Sequence, residues 1–146
     1  MATNLVYRNI DSQNRVETLA ATYQPGRPVI SLAGEAAVTV TASGDATITD
    51  STSFPPYTIS GIPNGGVGLV GKQVTLAFDG TWEWPASELT GITTSSAQGT
   101  LVNFVTATGV LTNAAVGAGV VAYGYVDFPP DYDKTRGFVP VRIGTR

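Results

Sequence analysis

Between residues 71 and 85 the large apolar side chains fall on even positions: Val74, Leu76, Phe78, Trp82 and Trp84. Gln73, Thr75, Ala77, Thr81 and Glu83 fall between them. Side chains of a strand alternate between faces, so this spacing predicts a half-buried strand with one apolar face. Asp79-Gly80 has the composition of a two-residue hairpin turn. In that hairpin Phe78 would pair with Thr81 and Leu76 with Glu83. Cross-strand partners share a face, so polar residues would land on the apolar side. The pattern therefore predicts one strand running through Gly80, bent or bulged there, with all five large residues on one side. Pro85 ends its ladder.

The rest of the chain reads as short strands separated by turns. Residues 29–32 and 36–41 are strand-like around Gly34, and Ser43-Gly44-Asp45 leads into residues 46–49, which predicts a Thr-rich hairpin over 36–49. Phe54-Pro55-Pro56-Tyr57 is a stiff extended break, and Pro63-Asn64-Gly65-Gly66 a turn. Residues 86–89 allow a single helical turn capped by Ser87 and closed by Gly91. Strands follow at 100–106, 110–112, 117–126 and 138–143, and Pro140 in the last one points to an edge or a bulge. The expected fold class is all-β: a small β-barrel or sandwich with an extended N-terminal arm and at most one short helix. The arm is residues 1–26 and the β domain residues 27–146, with a Thr-rich hairpin insertion around 36–60. The arm either packs on its own domain or orders on a partner.

Composition narrows the chemistry. The chain has 146 residues, enough for one domain with a core of its own. Cysteine and histidine are both absent, which removes disulfides, thiolate nucleophiles, the usual zinc sites and a Ser-His-Asp triad. Charged residues make up only 13%, so Thr, Ser, Asn and Gly must cover much of the surface. Residues 28–133 set one lysine against nine acids, a middle that argues against nucleic acid. Lys134, Arg136, Arg142 and Arg146 make the end basic. No secretion signal or membrane-spanning run is read from the chain.

Four features are candidate sites. Asp131 and Asp133 flank Tyr132 with Asp127 nearby, but the loop lacks the ligand density of a calcium site and no second acid can be placed opposite, so a solvated loop is the better reading than a cation site or a glycosidase. Trp82 and Trp84 would form a sugar-stacking row if exposed, but Val74, Leu76 and Phe78 continue their face, which favours core. Gly65-Gly66-Val67-Gly68 and Gly117-Ala118-Gly119 lack the Lys-Ser/Thr ending and helix of a phosphate loop. Leu5, Val6, Tyr7, Arg8 and Ile10 could add as a strand to a neighbour's sheet edge.

One resemblance covers a little over half of the chain. Gly68-Leu69-Val70-Gly71 opens a long strand containing Asp79-Gly80 and ending at a proline. Gly99-Thr100-Leu101-Val102-Asn103-Phe104 and the hairpin through Thr108-Gly109-Val110-Leu111-Thr112 follow. A glycine-rich strand then leads to Val139-Pro140-Val141-Arg142-Ile143. This order resembles the decoration, or head cement, proteins of tailed bacteriophages; residues 36–60 do not match. The resemblance implies a structural virion protein on the outer capsid surface, made in the host cytoplasm. It implies a homotrimer that bridges subunits of the major capsid protein lattice and stabilises the expanded shell. The shell contact would run through Leu5, Val6, Tyr7, Arg8 and Ile10. No enzyme activity, cofactor, metal, nucleic acid or membrane is expected. The alternative is a carbohydrate-binding or adhesin module on a virion surface.

Overall fold

The computed structural model describes residues 4–7, 14–44, 48–50, 57–59 and 69–144. The fold is all-β. Strands β1 (Leu5–Tyr7), β2 (Asn14–Thr18), β3 (Pro28–Ile30), β4 (Ala36–Thr39), β5 (Ile48–Asp50) and β6 (Tyr57–Ile59) come first. Strands β7 (Gln73–Ala77), β8 (Thr81–Pro85), β9 (Leu101–Val105), β10 (Val110–Thr112), β11 (Val120–Val126) and β12 (Phe138–Ile143) follow. Two 3-10 turns, η1 (Ala86–Glu88) and η2 (Lys134–Arg136), are the only helical pieces among the described residues. The six-stranded antiparallel sheet runs β1-β8-β12-β11-β9-β10, the four-stranded sheet β2-β7-β4-β3, and β5-β6 is a separate pair. Among the described residues no sheet closes into a barrel, and no helix is long and apolar enough to cross a membrane.

The two larger sheets pack face to face. Trp82, Trp84, Val102, Phe104, Tyr123, Val139 and Val141 from the six-stranded sheet meet Val38 and Ala77 from the other. The Tyr123 hydroxyl, fully buried, donates to the Ala37 carbonyl at 2.7 Å and bolts the sheets together. Its phenol is pushed well above the usual range by that burial. A second, smaller core forms on the other face of the four-stranded sheet, from Leu19, Val29, Ala37, Val74 and Leu76, with Tyr23 and Phe78 against it.

These clusters correct the expected single strand over 71–85. Residues 73–77 and 81–85 belong to different sheets, and Asp79-Gly80 is the corner where the chain passes from one to the other. Gly80 takes φ 95°, which only glycine adopts without strain. Trp82 Nε1 donates back to the Asp79 carbonyl at 2.8 Å and braces the corner. The hairpin was rightly excluded, but the five large residues do not share a side. Val74 and Leu76 enter the small core, Trp82 and Trp84 the large one. Parity holds only along a continuous strand, and three corner residues reset it.

Other expectations also shift. β4 lies between β3 and β7 and does not pair with β5, which pairs antiparallel with β6; residues 46–47 of the expected hairpin lie outside the described residues. Phe54-Pro55-Pro56, expected as an extended break, and residues 63–66, expected as a turn, lie outside the described residues. Pro140 sits in β12, an interior strand, instead of an edge. The cost is avoided locally. The Pro140 carbonyl accepts from the Asp127 N–H at 3.0 Å, so its ring nitrogen points the same way, past Val126, the last paired residue of β11. Ser87 lies inside η1 and caps nothing.

Candidate functional site

The N-terminal segment is tied to the body where it is described. Leu5 pairs with Trp82 and Tyr7 with Thr81, which makes β1 the end strand of the six-stranded sheet. Asn4 anchors it: its amide donates to the Gly26 and Glu83 carbonyls at 3.2 and 3.1 Å, and its own carbonyl accepts from the Glu83 N–H at 2.7 Å. β2 plays the same part in the other sheet, pairing along its length with β7. The expected extended arm is therefore, over these residues, two edge strands, one on each sheet. Leu5 remains 41% exposed and Val6 half-buried. Arg8 and Ile10 lie outside the described residues.

Two of the three aspartates of the acidic group, Asp127 and Asp133, have structural partners. Asp127 accepts from Thr81 Oγ1 at 2.9 Å and Gln98 Nε2 at 2.8 Å, and faces Arg142 at 3.9 Å. Asp133 caps η2, accepting from the Thr135 amide and hydroxyl, and these bonds hold its carboxyl below the usual range. Asp131 occupies the left-handed region at φ 62°, which aspartate tolerates in a turn. Among the described residues no group of three or more Asp, Glu, Cys or His is placed to hold a metal. Trp82 and Trp84 are 2% and 3% exposed, and Trp84 Nε1 donates to the Gly26 carbonyl at 2.9 Å. They are core, not a stacking platform. Gly119, at φ 76°, closes the turn from β10 into β11. Residues 65–68 lie outside the described residues.

Among the described residues, the basic end is partly paired from within. Arg136 forks onto Glu83 at 2.7 and 3.3 Å, and the Tyr132 hydroxyl donates to the same carboxylate at 2.6 Å. Burial first, then Glu83, holds the Tyr132 phenol well above the usual range. The Glu83 carboxylate likewise raises the Arg136 guanidinium. The Lys134 ammonium stands 4.0 Å over the Phe128 ring. The loop between β11 and β12 is thus clamped to the outer face of β8.

One feature escaped the sequence reading: an open cleft of about 980 Å³ at one end of the sandwich. Its floor is apolar, from Ile30, Trp84, Phe104 and Leu111. Three separate segments, residues 22–30, 84–90 and 104–111, build its walls, so no local motif announces it. The Arg27–Glu88 ion pair, 3.1 Å long, stands where this cleft adjoins a second one of about 370 Å³ under Asn4 and Phe138. Comparison with known protein families, with curated proteins and with solved structures returns no match to this chain.

Proposed function

We propose that the chain is a structural protein that binds the outside of a tailed-phage head and stabilises the expanded shell by bridging major capsid protein subunits. The reading rests on the order of strands and turns between residues 68 and 143, which resembles the head cement proteins. The observation that carries it is β1. This strand of three residues ends the six-stranded sheet, pairs on one side with β8, and leaves its outer edge open among the described residues. An open edge is a template for a further strand, and Leu5 offers an apolar side chain beside it. The rigid sandwich behind holds that edge in place. A protein that binds the assembled lattice and not the free subunits stabilises the lattice by mass action. A homotrimer would join several weak contacts into one of high avidity. The reading assigns the chain no catalytic step.

Co-sedimentation with expanded heads tests the reading. Intact protein is expected to pellet with heads and to raise their melting temperature. Deletion of residues 1–7, or Leu5→Asp, is expected to abolish pelleting while the far-UV spectrum stays β-rich. Retained pelleting of both variants would remove β1 from the contact. Failure of the intact chain to bind any expanded head would remove the function.

A further inference from the structure

We infer that the open cleft at the end of the sandwich is a binding site for a neutral saccharide. The inference stands on the cleft alone and is independent of the shell reading. Size comes first. At about 980 Å³ the cleft lies near the upper end of the roughly 300–1,000 Å³ usual for small-molecule sites. Its two surfaces differ in chemistry. Pro28, Ile30, Leu89 and Val110, each half-buried, give the cleft accessible apolar area for the C–H face of a sugar ring, over the buried Trp84, Phe104 and Leu111.

The rim supplies hydrogen bonds. Thr22, Ser87, Thr90 and Thr108 line it, and none of their hydroxyls bonds another described residue. Each hydroxyl can donate and accept, as a sugar hydroxyl does. Arg27 and Glu88 add a fixed donor beside a fixed acceptor, with side chains 53% and 48% exposed. That pairing fits two adjacent sugar hydroxyls, one accepting from the guanidinium and one donating to the carboxylate. The pair is also neutral as a unit. A phosphate or carboxylate ligand would gain from Arg27 and be repelled by Glu88, so the rim selects an uncharged ligand. An apolar ligand would leave the rim groups without partners, which lowers its affinity.

The experiment applies the full-length protein to an array of neutral glycans spanning hexoses, N-acetylhexosamines and deoxyhexoses, with inorganic phosphate and glucuronic acid as charged controls. Hits are titrated by two-dimensional amide NMR. The expected result is saturable binding to at least one neutral glycan, with shifts confined to residues 22–30, 84–90 and 104–111. Glu88→Ala is expected to weaken it about tenfold or more, and Thr108→Val about three- to tenfold. Both positions are exposed and leave the core intact. Leu101→Ser, at an exposed position outside the cleft lining, is the control and should change nothing. The inference is overturned by silence across the neutral glycans, by shifts elsewhere on the surface, or by affinity that survives both cleft variants. Tighter binding of phosphate or glucuronic acid than of any neutral glycan overturns it as well.

Discussion

Single side chains in this molecule carry the connections that sheet pairing cannot. Tyr132 is the clearest, since its hydroxyl joins the loop before β12 to Glu83 on β8. Its phenol is raised in the fold, so the sign is that of a group stabilising while protonated. The contribution is complete below the ordinary tyrosine value of about 10 and is lost as pH rises through the higher folded value. Alkaline titration followed by phenolate absorbance should show Tyr132 and the buried Tyr123 ionising late. Tyr132→Phe should remove one late step and cost about 1 kcal/mol in urea unfolding. A variant with an unchanged titration curve would contradict the assignment. Gly124 is a second such position. It lies where β11 shifts register against β9, and a Cβ built there would collide with the Arg142 carbonyl oxygen. That neighbour is backbone and cannot turn aside. Gly124→Ala should therefore destabilise by about 3 kcal/mol, the upper end for overpacking, read from the urea midpoint.

Elements show how far a sequence pattern reaches. Strand existence, the all-β class, the buried tryptophans and the absence of a hairpin at Asp79-Gly80 were legible, because each follows from alternation within a few residues. What alternation could not reveal was the change of sheet. The tryptophans and Val74 obey the same even parity, yet they enter different cores on either side of Gly80. The partner of β4 was likewise illegible, since pairing with β7 joins residues far apart in sequence. The cleft was missed for the same reason: its floor and rim are assembled from three distant segments. The corner itself can be tested. Gly80 is at φ 95°, and its carbonyl accepts from the Ile143 N–H at 3.0 Å. Gly80→Val should cost about 1–3 kcal/mol through strain at that position. Amide exchange near Ile143 should accelerate with it. Unchanged stability would mean that the corner tolerates a side chain and that the change of sheet does not depend on glycine.

At the scale of the whole molecule, the distribution of charge decides what kind of force can hold it to a partner. The middle of the sequence is acidic and its end basic, which on paper invites an electrostatic contact. Among the described residues the fold offsets part of that asymmetry. Arg15 pairs with Glu17 and Glu35, Arg27 with Glu88, Arg136 with Glu83, and Arg142 faces Asp127 at longer range. Cations already paired have little field left for a distant acidic surface, and what remains is screened within about 8 Å at physiological salt. Attachment to a shell would then depend on backbone pairing along β1 and on apolar contact at Leu5. Those forces respond weakly to ionic strength. Affinity for expanded heads should change by less than about threefold between low and physiological salt, because association is then not steered by charge. Binding measured across a salt series checks this. A steep, log-linear fall with salt would show that unpaired cations hold the protein to its partner, and would move the contact from β1 toward a basic surface.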